Sequence, residues 1–509
     1  MHRSVLGAAW VAALAALWAY ALTLSPTVAW VNLGEDSGDL LAASATLGIA
    51  HPTGYPLFVL IGRLASFLPL GSIAFRINLV AALAGAASVF FLARLVLEIG
   101  PRVGSGPGAA LAAAGTALIY GFSRGAWSQS VLAEVYTLNV AFLGAILWSL
   151  ARAERRGELR YLLLAGYLFG LGLTNHLLLL AAGPAILWVA ARWAFSRRIG
   201  LPGIVLLPVL CILGLTVDLY LPVRAALIPE FSWGAPATGA QLAWLLSGAQ
   251  YARNFFARSW ADAALHLLPG RWGGDFGLAI LPVLVGLAAL AVLRPPRTGP
   301  AWIALAFALG LLTVYAIGDD VGYWMPAAYV ACALAGVGWS ALWETVRWRA
   351  LARGAAVLLL AGAALFAFRR NYTDVDASKD LTPYLYAHHN IAAVEPNALI
   401  VSEYDGRTFA LWFYKATDFK NSHPDLVVAY KYLLVWPWYL DHLARYYRSL
   451  SVPEYPGDLD LMMNRLIARN IRHRPVYLTR RDPGLLPLFT TEPVGDPTLP
   501  LYRVRERPR

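Results

Sequence analysis

Eleven mainly apolar runs, separated by short turns, constrain this chain more than any other feature. A helix needs roughly 20 such residues to cross about 30 Å of hydrocarbon. The runs lie at 4–24, 77–98, 107–123, 136–151, 160–173, 175–194, 203–222, 277–294, 300–317, 324–343 and 351–368. Those at 107–123, 136–151 and 160–173 are short, and their ends are the least defined. Of the 509 residues 59% are hydrophobic and 14% charged, where soluble domains carry about 25% charged residues. The chain reads as a polytopic α-helical membrane protein with about eleven transmembrane helices.

The net charge of +11 does not point to nucleic acid, because the arginines sit in short clusters between apolar runs and not along one basic face. Their distribution sets topology instead. With a cytoplasmic N-terminus, Arg94 and Arg102, then "RAERRGELR", then Arg192, Arg197 and Arg198, then "RPPR" and "ETVRWRALAR" all fall on the inner side. The opposite short turns hold Arg124 and almost no other base, the positive-inside pattern. The first run is longer than the 7–15 residue core of a signal peptide, so it is expected to be retained. The two cysteines, Cys211 and Cys332, lie inside apolar runs without metal-ligand spacing, and neither a disulfide nor a zinc site is implied.

This topology places the acidic loop within 25–76, the aromatic loop 223–276, the "GDD" at 318–320 and everything after about 369 outside the cell membrane. Beyond 369 the Ala-rich runs stop, and "NALIVSEYDG", "RTFALWFYKA", "PDLVVAYKYLL", "WYLDHLARYYRSL" and "RPVYLTR" alternate short apolar stretches with helical patterns. That alternation predicts a small α/β unit with a parallel sheet. The expected organisation is a membrane domain over 1–368 and an extracytoplasmic α/β domain over 369–509. No internal repeat, Walker motif or GxGxxG fingerprint occurs, which argues against a nucleotide-driven pump.

Glu35, Asp36 and Asp39, in "NLGEDSGDLLAASATLGIAHPTGYP", follow the first run directly. Helix capping explains Asp36 and Asp39 in one reading, since an anion in a first turn gains about 0.3–1 kcal/mol. In the other, the short "SGDLLAASATLGIA" segment lies along the outer membrane face and its acids take a proton from an acceptor hydroxyl. His51 is a turn residue or touches a phosphate. Arg63 and Arg76 break the positive-inside pattern, and pair either with an external carboxylate or with the phosphate of a lipid-linked substrate, for which the planar guanidinium is suited.

"EDSGDLLAASATLGIAHPTGYPLF", "RINLVAALAGAAS", "AWSQSVLAEVYTLN", "GLGLTNHLLLL" and "YLPVRAALIPEFSWGAPAT" resemble, in order, the recurring segments of domain-of-unknown-function family 2723, also classed as glycosyltransferase family 117 and similar to the protein O-mannosyltransferases. The likeness covers most of 30–260 and continues more loosely into "NYTDVDAS" and the segment after it. It implies a GT-C fold: a helical membrane transferase that takes sugar from a polyprenyl-phosphate donor on the outer face, with membrane lipids around it and no nucleotide-sugar domain. It places the base in "DSGD" at Asp36, with Asp39 standing where the family more often has Glu.

The remaining candidates rank around that expectation. Glu134 is a helix cap or a substrate contact. Asn175 and His176 form a cap and turn or line the cavity. Arg224 pairs with Asp218 or binds donor phosphate. Asp319 and Asp320 are read as solvated and no metal is assigned, although a divalent ion stays open. The donor is a substrate and no cofactor is implied. The aromatic loop residues Trp233, Trp244, Tyr251, Phe255, Phe256, Trp260 and Trp272 are explained mostly as interface anchors. A transporter or flippase of lipid-linked glycans is the alternative, disfavoured because such proteins place ionisable residues near the bilayer midplane, often in repeated halves. A non-enzymatic assembly factor is a third class.

Overall fold

The computed structural model describes residues 3–100, 106–257, 259, 261–262, 269–315, 321–346, 349–481 and 489–506. They form two compact units: Met1–Leu24, Asn78–Asp218 and Gln250–Ser378 in the first, and Ser25–Ile77, Leu219–Ala249 and Lys379–Arg509 in the second.

Among the described residues eight helices are long and apolar enough to cross a membrane: Leu6–Thr23, Ile73–Ile99, Tyr136–Arg156, Leu177–Phe195, Leu201–Ala226, Trp272–Leu293, Val321–Thr345 and Ala350–Val375. The apolar helices Pro107–Gly121, Leu159–Leu173 and Gly299–Thr313 are shorter. Val321–Thr345 is the innermost helix of the first unit and is buried along almost its whole length. Small residues allow this. A Cβ on Gly338 would lie 1.8 Å from the carbonyl oxygen of Gly286 on the Ile280–Leu293 helix, and one on Gly286 would lie 2.4 Å from that of Ala335. Backbones approach this closely in membrane bundles where side chains are smallest. Gly338→Ala is therefore expected to force the two helices apart and to cost about 1–3 kcal/mol, the range for overpacking. Melting in detergent checks it, with Gly362→Ala, which meets nothing within 4 Å, as the silent control.

Several of the arginines that set the expected topology are also paired. Glu98, 1% exposed, takes Arg152 and Arg155, each at 3.0 Å, and Glu154 takes Arg192 and, at 2.6 Å, the Trp193 indole N–H.

The second unit holds a five-stranded sheet of order β2-β1-β3-β5-β4, with β1 at Leu399–Ser402, β2 at Val427–Tyr430, β3 at Val476–Leu478, β4 at Phe489–Val494 and β5 at Leu501–Glu506. β1 to β3 are parallel, with Leu399 opposite both Val427 and Val476, and read as unbroken apolar runs because both their faces are buried. β5 is antiparallel to both β3 and β4, so the sheet is mixed and not wholly parallel. The connection from Val494 to Leu501 is too short for a crossover helix and permits only antiparallel pairing. Pro493 fits because β4 is the edge strand.

The Ser37–Thr46 helix is enclosed by protein. Its residues Ser37 to Ser44 are all buried, so it is a packed core element. A Cβ on Gly38 would lie 2.7 Å from the Phe409 backbone in the Asp405–Ala416 helix, and one on Gly62 would lie 2.5 Å from the Ser44 hydroxyl. The Gly, Ala and Ser content that made the segment look unable to span is what lets its neighbours close on it.

Candidate active site

Asp36 precedes the Ser37–Thr46 helix but its side chain caps nothing: no backbone N–H of the first turn bonds to it. Ser37 beside it is fixed instead, its hydroxyl accepting from the Ala29 N–H at 3.2 Å and donating to the Ala29 carbonyl at 3.1 Å. The Asp36 carboxylate is thereby left for other work. It is 48% exposed, while Asp39, one turn on, is fully buried.

Asp39 is saturated with donors. Its Oδ2 takes the His51 backbone N–H and ring Nδ1, both at 2.8 Å, and its Oδ1 takes the Trp233 indole N–H at 3.0 Å. An ionised carboxylate only accepts, so Nδ1 of His51 carries a proton. The other ring nitrogen, Nε2, faces Asp36 at 3.7 Å. The His51 ring is held edge-on by Tyr55 and Trp233, with centroids 4.9 and 6.1 Å away. The result is a line of three groups in which a buried carboxylate orients an imidazole toward an accessible one. Loss of hydration raises the Asp36 carboxyl above its ordinary value; His51 opposes this, and Asp39 and Glu35 add to it. Glu35 itself is exposed.

The line is assembled from distant parts of the second unit. Ile49 donates its N–H to the Phe231 carbonyl at 2.8 Å and accepts the Trp233 N–H at 3.1 Å, which sets the indole over Asp39. Asp380 receives the Trp30 N–H at 3.0 Å and ties the loop ahead of Asp36 to the C-terminal segment. Glu230, next to Phe231, pairs with the buried Lys415 ammonium and accepts from the Tyr447 hydroxyl at 2.6 Å, while its backbone carbonyl takes His442 Nε2 at 2.9 Å. Burial pushes the Lys415 ammonium down, with Glu230 acting against that.

The other candidates fall in different places. Arg224 donates Nε to the Leu47 carbonyl at 2.6 Å, at the C-terminal end of the helix that carries Asp39. Arg76 is a turn clamp, donating to the carbonyls of Leu70, Ser66 and Gly71, and Arg63 donates to that of Ala45 and lies 4.6 Å over the Phe67 ring. Glu134 and His176 belong to the first unit. Glu134 is buried; His176 caps a short helix, its Nδ1 accepting from the Leu178 N–H at 3.0 Å, and its ring packs against Tyr136 and Tyr323. Asn175 donates to the Val135 carbonyl at 3.0 Å. Asp319, Asp320 and Trp260 lie outside the described residues. Among the described residues no group of three His, Cys, Asp or Glu is disposed to hold a metal ion.

The stretch 223–276 is no simple aromatic loop. It contains the Gly239–Leu246 helix, and Trp244 packs on Trp436 and Trp438 at 5.2 and 5.9 Å, with Trp233 6.3 Å from Trp438. Protein rings are partners of these two tryptophans. Sequence reasoning passed over Asp380, Asp405, Lys415, Tyr430 and Glu230. Only Asp405 had a legible signal, since "SEYDG" stands at the carboxyl end of a strand, where open α/β sheets place ligands.

A polytopic helical membrane protein with an acid–imidazole–acid line in its second unit is the class that fold and site define. Its fold is that of ArnT from Cupriavidus metallidurans bound to undecaprenyl phosphate, with a TM-score of 0.63 at 13% identity over 97% of both chains. It is also similar to the Archaeoglobus fulgidus oligosaccharyltransferase tethered with an acceptor peptide, with a TM-score of 0.50 at 13% identity over 94% of this chain and 69% of that one. Residues 36–197 match the N-terminal domain of protein O-mannosyl-transferase TMEM260. The Mus musculus protein O-mannosyl-transferase TMEM260 is 26% identical over 457 residues, 84% of this chain and 63% of the relative, so the chain spans less than two thirds of that protein. In sequence the chain is similar to protein O-mannosyl-transferase TMEM260, and in fold to ArnT.

Proposed function

We propose that this chain is a membrane glycosyltransferase that moves a mannose-like sugar from a polyprenyl-phosphate donor to a hydroxyl of a protein or glycan on the outer face of the membrane. The observation that carries the reading is the accessible Asp36 facing a His51 whose other nitrogen is bound to buried Asp39. In this reading Asp36 takes the proton as the acceptor oxygen attacks the anomeric carbon. The new carbon–oxygen bond forms from the face opposite the breaking bond to the phosphate, so the configuration inverts, and polyprenyl phosphate leaves with the electron pair. His51, oriented by Asp39, keeps Asp36 ionised until the proton arrives. Arg224 is the cation assigned to the departing phosphate. The names of the relatives support donor and acceptor classes: undecaprenyl phosphate in the ArnT complex, a peptide in the oligosaccharyltransferase, and protein O-mannosylation in the mouse protein.

The same proposal includes eleven spans, the three shorter apolar helices completing the eight long ones, a cytoplasmic N-terminus, and an extracytoplasmic α/β segment after residue 369. The arginine distribution supports that orientation. No cofactor is assigned, because the donor is a substrate. Full-length protein in proteoliposomes, given polyprenyl-phosphate mannose and a panel of peptide and glycan acceptors, tests the reading. Donor loss matched by glycosylated product is the expected result; lipid translocation without product would overturn it in favour of a flippase.

A further inference from the structure

The parallel strands run β2-β1-β3, so the chain leaves β1 toward one side of the sheet and comes back to β3 on the other. The carboxyl ends of β1 and β3 therefore form a topological switch point, where open α/β sheets hold ligands. The residues at the end of β1 are Glu403, Tyr404 and Asp405. Asp405 opens the Asp405–Ala416 helix, and its Oδ1 accepts the hydroxyl of Tyr430 from the end of β2. Among the described residues its Oδ2 has no partner.

Helix packing carries this end of the sheet to the acidic motif. Gly38 meets Phe409 closely, which lays the Asp405–Ala416 helix against Ser37–Thr46. At its start, Gly406 accepts the Trp30 indole N–H at 2.9 Å, and a Cβ on Gly406 would lie 3.5 Å from Cγ of Glu35. The amino ends of the two helices, one with Asp36 and one with Asp405, thus lie side by side within the same compact unit. Their charges are felt mutually: the Asp405 carboxyl stands above its ordinary value mainly through lost hydration, the Tyr430 hydroxyl lowers it, and Asp36, His51 and Asp39 contribute further.

We infer that Asp405 positions the acceptor, its Oδ2 accepting a hydrogen bond from the acceptor substrate while Tyr430 holds Oδ1, so that the reacting hydroxyl is presented to Asp36. The inference rests on the transferase reading and adds to it a role for a residue more than three hundred positions away in sequence. Tyr404, exposed at the same sheet end and bonded through its hydroxyl to Arg480 at 2.7 Å, borders this site.

The test is steady-state kinetics of the full-length protein with polyprenyl-phosphate mannose and a threonine-rich peptide, for Asp405→Asn and Tyr430→Phe beside the wild type. Asn keeps the shape and an oxygen for Tyr430, but turns an N–H toward the acceptor's donor. Its acceptor KM is expected to rise about ten- to hundredfold, the worth of a hydrogen bond to a charged group, with donor KM and melting temperature unchanged. Tyr430→Phe, which only loosens Asp405, is expected to raise acceptor KM less, about threefold. Should Asp405→Asn not fold, Tyr430→Phe carries the test alone. An active wild type with variants of unchanged acceptor KM overturns this inference and leaves the transferase standing. A wild type that consumes no donor overturns the transferase reading and this inference with it.

Discussion

Asp36→Asn is expected to lower sugar transfer by about 10²–10⁴-fold, the range for loss of a general base, while the protein stays folded. The side chain caps no helix and is half exposed, so an isosteric amide leaves no donor orphaned. The acid limb of the activity profile provides an independent check. The base works only when ionised, and its carboxyl lies above the usual Asp value of 3.8, so activity should rise with pH through a limb displaced upward from that value. His51 is the group that opposes this displacement. His51→Gln should therefore move the limb higher still, whereas Asp36→Asn should abolish it. Near-normal transfer by Asp36→Asn in proteoliposomes would remove Asp36 from the role.

Lys415→Met is expected to destabilise the second unit by about 3–5 kcal/mol, because removing one member of a buried pair leaves an uncompensated charge. Lys415 is 4% exposed and Glu230 15%, so little water reaches the carboxylate that remains. The Tyr447 hydroxyl at 2.6 Å and the packing around it then cannot replace an ammonium. Neutralising both partners in Lys415→Met/Glu230→Gln should recover most of the loss, since a buried pair replaced as a pair is often nearly neutral. Thermal melting of the single and double variants in detergent measures the difference; equal melting of the wild type and Lys415→Met would show that the pair contributes nothing. The consequence reaches the chemistry, because Glu230 anchors the stretch whose Trp233 holds Asp39.

The helical membrane fold was legible in hydropathy alone, because a run of apolar residues long enough to span hydrocarbon has few other places to go. So was the neighbourhood of Asp36, His51 and Asp39, which are close in sequence and bracket one short helix. Their division of labour was not. Asp36 and Asp39 look alike in "EDSGDL", and only burial and donors separate the accessible carboxylate from the one saturated by His51 and Trp233. Arg76 as an external base left a carboxylate and a phosphate partner open, and His176 left a cap and a cavity position open. The structure uses the first to clamp a turn and the second to cap a helix, and local hydrogen bonding of this kind has no periodic signature.

What the sequence by itself determined is therefore the class of fold, set by short-range patterns of hydropathy, and the one short segment that carries Asp36, Asp39 and His51. What only the tertiary structure decided is the company they keep. Ser25–Ile77, Leu219–Ala249 and the chain from Lys379 onward join into one unit, so that Trp233 reaches Asp39, and Asp405 comes within the field of Asp36. The physical reason is that these meetings are made by close backbone approach at Gly38 and Gly406 and by single hydrogen bonds across hundreds of residues, and a one-dimensional pattern carries neither.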